Sequence, residues 1–217
     1  MWTQLSRVLF SSFLETLYMV GMSSAISFIC GIPLGVFLHV TAKGEILERP
    51  KVNGLLSAVV NAARSTPFII LMVLLIPVTR MIVGTSIGIN AAVVPLAVAA
   101  IPFVGRIVEG ALKEVDRGVV EAAQSMGATP RQIIGKVLIP EALPAIVSGL
   151  TLAVINLIGY SAMAGAVGGG GLGDLAIRYG YQRFRMDIMF ATVVILIAMV
   201  QICQALGDRM AGKARKS

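Results

Sequence analysis

The chain has 217 residues, 57% of them hydrophobic and 13% charged, with a mean hydropathy of +0.88 and a formal net charge of +7. A soluble domain carries about 25% charged residues, so a soluble enzyme or binding domain is excluded. The basic residues are scattered over polar connections, which argues for membrane topology and against nucleic acid as a partner.

Charge-free runs cover Thr16–His39, Met81–Gly105, Ala142–Gly173 and Ile188–Gly207, each at least the roughly 20 residues that cross a bilayer core. The reading is an all-α, polytopic membrane protein with spans at about 16–40, 66–83, 89–108, 145–167 and 188–206. Residues 1–15 form a short, weakly amphipathic segment; with one Arg before the first apolar run and no A-x-A site, no cleavable signal is expected. In the first span Gly31 and Gly35 offer a small-residue face for close approach of another helix, and Pro33 predicts a kink; a kinked span without a partner there is equally open. His39 is placed at the interface, and Cys30 and Cys203, inside apolar runs, are apolar fillers without metal-ligand spacing.

A helix resumes near Gly54 and is interrupted at Arg64-Ser65-Thr66-Pro67. An Arg at mid-bilayer costs about 2.5–3.5 kcal/mol, which puts Arg64 near the headgroups and starts the second span at Pro67. Pro95 and Pro102 lie inside the third span and predict a bent or locally unwound helix.

Residues 117–144 read as two short amphipathic helices with a sharp joint. Val119, Ala123 and Met126 fall on one face, and Gly127 stands where a helix C-terminus needs a left-handed residue. Thr129 is the N-cap of the second helix, with Pro130 at its first position and Gln132 as capping-box partner. Ile133, Ile134, Val137 and Leu138 then run into Pro140 and Pro144. From spacing alone, docking across something at the membrane surface and an ordinary connector are both open.

The fourth span carries a small-residue stripe of Ala145, Gly149 and Ala153, and a polar cluster of Asn156, Tyr160, Ser161 and Met163. Glycines from Gly165 to Gly173 predict a flexible outer loop. Gly168, Gly170 and Gly173 spell G-x-G-x-x-G with Asp187 beyond, but no βαβ unit surrounds them and a dinucleotide site is rejected. The tail 208–217 is basic and expected to fray. Twelve basic residues lie on the side of the 43–51 and 106–136 connections and the tail, against five on the other. That bias places the N-terminus outside, and the 117–140 loop and C-terminus in the cytoplasm.

No P-loop, catalytic triad or metal motif is present, so the chain is read as non-catalytic. Every Asp and Glu falls at or outside a span boundary except Glu109, at the inner end of the third span. With no internal energy source, power is expected from a partner.

Glu121-Ala122-Ala123, then Gly127, Val137, Ile139 and Pro140, resemble the EAA loop of bacterial ABC-importer permeases, which prefers Ile and Leu where Val137 and Ile139 stand. Gly84-Thr-Ser-Ile-Gly88, Pro102-Phe103 and Gly159-Tyr-Ser-Ala-Met163 through Gly173 are similar to the methionine-uptake branch, over most of the chain from Arg64 on. The resemblance implies a type I ABC importer permease fold over 16–207 in a bacterial cytoplasmic membrane. It also implies a homodimer, two cytoplasmic ATPase subunits that bind ATP and Mg, and an external, periplasmic or lipid-anchored methionine-binding protein. Glu121, Ala122, Ala123, Met126, Gly127, Thr129 and Pro140 are then the ATPase-coupling residues. Asn156, Tyr160 and Met163 line or close the path by which methionine, L- and D-, crosses through alternating access, or serve helix packing. Another small amino acid or related solute, an ion-coupled secondary carrier, and a non-conducting scaffold are the alternatives.

Overall fold

The computed structural model describes residues 2–215, and no strand occurs among them. Helix α1, Trp2–Val40, is continuous and is long and apolar enough to cross a membrane. The expected separate segment 1–15 is therefore corrected, apart from Met1, which lies outside the described residues. Neither Gly nor Pro occurs before Gly21, so nothing stops the helix, and the Thr16 hydroxyl donates to the Ser12 carbonyl at 3.0 Å. The helix also continues through Pro33 to Val40.

Helix α5, Ile89–Lys113, is the buried centre, with Leu96, Val104 and Val108 fully inaccessible. The small-residue face of α1 meets it. A Cβ on Gly31 would come within 2.7 Å of Val104 Cβ, and one on Gly35 would overlap the Gly105 carbonyl. Pro95 and Pro102 are both buried and α5 is helical throughout, so the expected unwinding does not occur. A helix-interior proline costs about 3 kcal/mol, which packing on two neighbouring helices outweighs.

The second crossing is broken. Helix α2, Pro50–Ser65, turns by 104° into α3, Phe68–Leu74, and α4, Ile76–Val83, follows after Leu75. Pro67 forces the break, because the residue before proline is driven from helical to extended backbone, and Thr66 has φ −80° and ψ 124°. Helix α2 lies along the last turns of α5, where Arg106 donates to the Ser57 carbonyl at 3.1 Å and to Asn61 Oδ1 at 2.9 Å. Helix α4 lies along the first turns of α5, with Ile76 and Thr79 beside Ala91, Ala92 and Pro95. The segment thus runs the length of α5. Among the described residues four helices are individually long and apolar enough to cross a membrane, and the broken segment, counted as one span, would be the fifth.

Helix α6, Arg117–Ser125, is capped by Asp116, whose carboxylate accepts from Gly118 N at 2.6 Å. The second loop helix is not a separate short one. Helix α7, Pro130–Ile133, passes through a π-turn at Ile134–Leu138 into α8, Ile139–Ala164. The whole run Pro130–Gly169 is 40 residues. The wider π-turn, in which Ile139 N donates to Ile134 O, comes just before Pro140, where an α-turn would set the ring against a carbonyl.

The glycine-rich segment is packed, not flexible. A kink at Gly165–Gly169, with Gly168 at φ +90°, leads into α9, Gly171–Leu175, with Gly165, Gly169, Gly171 and Gly173 buried. A Cβ on Gly173 would overlap the Ala162 carbonyl. Glu15 and Thr16 hold this turn, accepting from Gly171 N at 2.8 Å and Leu172 N at 2.9 Å. Helix α10, Met186–Ala214, continues through most of the tail expected to fray. It packs on α8 where a Cβ on Gly207 would overlap the Thr151 side chain, and a Cβ on Gly149 of α8 would overlap Ile107 of α5.

Candidate functional site

The loop between α5 and α8 is anchored on one face and open on the other. Ala123, Ile133 and Leu138 are buried in a cluster with Val40, Val108 and Leu112, and Val120 and Ala128 pack against it. The expected single face is therefore divided: Ala123 points inward, whereas Val119 is 44% and Met126 82% exposed. With exposed Ala122, these make an outward apolar strip at i, i+3 and i+7, flanked by exposed Glu121.

The joint is a Schellman turn. Gly127 has φ +80°, Gly127 N donates to Gln124 O at 2.9 Å, and Ala128 N to Ala123 O at 3.1 Å. Gln132 Oε1 accepts from Thr129 N at 2.8 Å and Thr129 Oγ1 at 3.0 Å, starting the next helix as its spacing predicts. Pro140 is exposed inside the long helix and does not end the loop.

Glu45 links this loop to α1, lying 3.6 Å from Arg117 and 3.7 Å from His39 Nε2. His39, expected at an interface, is instead buried, because the 41–49 turn folds back over the end of α1. A cleft of about 500 Å³ opens here, bordered by Glu45, Lys113, Arg117, Glu121 and Gln124. Glu109 is 4% exposed and holds Arg106 at 2.5 Å and Lys113 at 2.6 Å. Its charge is compensated at the α2–α5 contact.

On α8, Asn156, Tyr160 and Met163 share one face. Asn156 is exposed, Met163 is 38% exposed, and Tyr160 is half-buried with its ring stacked on Phe68 at 4.7 Å and 3°. Ser161 does not belong to this set; it is buried and donates to Ile158 O at 2.8 Å. Arg64 does. It lines a cleft with Thr66, Phe68, Ala99, Phe103 and Tyr160, beside the middle turns of α5. Phe68 also escaped the sequence reading, and Phe103 entered it only through the family resemblance. The available signal was a charge directly before Ser-Thr-Pro inside an apolar segment.

Residues 31–212 match the family described as the binding-protein-dependent transport system inner membrane component. The chain belongs to that family. It is 58% identical over 205 residues to the probable D-methionine transport system permease protein MetI of Vibrio cholerae, covering 94% of this chain and 91% of that one. It is 48% identical over 194 residues to the methionine import system permease protein MetP of Bacillus subtilis, covering 89% and 87%. A chain of the MetNI methionine ABC transporter, solved in inward-facing conformations, aligns with a TM-score of 0.92 at 48% identity, covering 99% and 97%. This permease is thus a non-catalytic, multi-pass inner-membrane subunit with the type I ABC importer fold.

Proposed function

We propose that the chain is the membrane-spanning subunit of an ATP-driven methionine importer. Two copies enclose the path, and two ATPase subunits that hold ATP and Mg sit on the α6 side, which faces the cytoplasm together with the C-terminus. A methionine-binding protein delivers substrate to the glycine-rich side, where the N-terminus lies. The observation that carries this reading is 58% identity to a D-methionine permease along 94% of the chain. The uncovered strip Val119–Ala122–Met126 on α6 supports the ATPase contact, since a nine-residue helix with one apolar face inward and a second outward is built to be held from both sides. Asn156, exposed at mid-helix, supports a path between protomers, because its amide is costly against hydrocarbon and satisfied in a watery channel.

The test is uptake of labelled methionine, L- and D-, into proteoliposomes holding the chain with its ATPase and binding protein. Uptake requires ATP and the binding protein, and is indifferent to proton or sodium gradients. Gradient-driven uptake without the ATPase sinks the proposal in favour of a secondary carrier. ATP-dependent uptake of a different amino acid only would leave the importer class and remove the substrate.

A further inference from the structure

The break in the second crossing sets a full positive charge beside the middle turns of α5. Arg64 precedes the 104° turn by one residue. Its guanidinium carbon is 6.0 Å from the Phe103 ring centroid, and it borders the cleft of about 190 Å³ shared with Thr66, Phe68, Ala99 and Tyr160. Along α5, Ala99 is ten residues from the first residue, Ile89, and Phe103 ten from the last, Lys113. Ten residues rise about 15 Å, so the cleft lies about midway along α5.

Among the described residues no carboxylate pairs with Arg64. Three residues along α5 from Phe103, Arg106 is engaged by Glu109, Asn61 and the Ser57 carbonyl. The Arg64 side chain is exposed in the isolated protomer, on the side to which the Tyr160 face of α8 also turns. An unpaired cation on a broken helix inside an apolar segment, beside an open face, is a candidate ligand group.

We propose that Arg64 receives the α-carboxylate of the amino-acid substrate midway along the path. The planar guanidinium offers the two parallel donors that a carboxylate takes. The stacked Phe68–Tyr160 pair and Phe103 form the apolar wall for the side chain, a surface that suits a thioether. The open cleft makes the contact brief, as a path requires. This inference rests on the importer reading above.

The experiment uses the whole complex in proteoliposomes, with methionine-loaded binding protein, measuring labelled methionine uptake and ATP hydrolysis together. In Arg64→Gln, uptake per ATP hydrolysed falls at least tenfold, while stimulation of hydrolysis by the loaded binding protein stays at the wild-type level. Arg64→Lys, which keeps the charge but not the fork, recovers part of the uptake. Wild-type uptake by Arg64→Gln, beside a wild type that imports methionine, sinks the site alone. Hydrolysis that falls in step with uptake in both variants also overturns it, because Arg64 then serves assembly. A wild type that takes up no methionine sinks the importer reading and the site with it.

Discussion

At Gly127 the left-handed backbone is a requirement of the turn and not of space: no atom lies within 4 Å of where a Cβ would stand. Gly127→Val therefore introduces backbone strain of about 1–3 kcal/mol without a clash. The expected outcome is a complex that assembles and hydrolyses ATP but imports more slowly, read as the ratio of uptake to hydrolysis; an unchanged ratio would remove the joint from coupling. Glu109 carries the opposite kind of constraint. Glu109→Ala leaves Arg106, 19% exposed, without its counter-charge, and a broken buried pair costs about 3–5 kcal/mol. A large drop in the melting temperature of the purified protein is expected, with partial recovery when Arg106 is replaced by Met in the same chain. Met163 is 38% exposed in the protomer, on the face of Asn156 and Tyr160. Met163→Ala is expected to leave assembly intact and change uptake kinetics, and wild-type kinetics would take it off the path.

At the scale of elements, the outward strip of α6 gives the cleanest test. Met126→Asp leaves the inward contacts of Val120 and Ala123 untouched, so the chain folds, while co-purification of the ATPase falls at least tenfold; full retention of the ATPase would free that strip from the contact. Helical periodicity, the Gly127 stop and the Thr129–Gln132 start were all legible, because each is local chemistry. What periodicity could not give was which side of α6 faces the body, since Val119 and Ala123 sit close together around the helix. The prolines misled for a related reason. Pro95 and Pro102 read as a bend or local unwinding, but α5 stays helical through both, and a π-turn precedes Pro140 in the long helix; both are tertiary or near-tertiary effects. The glycines between Gly165 and Gly173 read as looseness, whereas they are small so that α9 can pack against the end of α8. The desolvation argument took lipid as the only surroundings of Arg64. The cleft that receives it is made by three separate crossings.

At the scale of the whole molecule, composition gave the membrane class and hydropathy the five crossings. The order in which they pack was hidden, apart from the Gly31–Gly35 face that meets α5. Helices α7 and α8, joined by the π-turn, run 35 residues from Pro130 to Ala164, about 52 Å at 1.5 Å per residue. Close approaches to α5 and α10 come at Gly149 and Thr151, near the midpoint. Tilted there as one body by about 10°, arms of about 25 Å carry the two ends about 4 Å in opposite senses. In the importer proposed above, a push on the α6 end would swing the far end of α8 the other way.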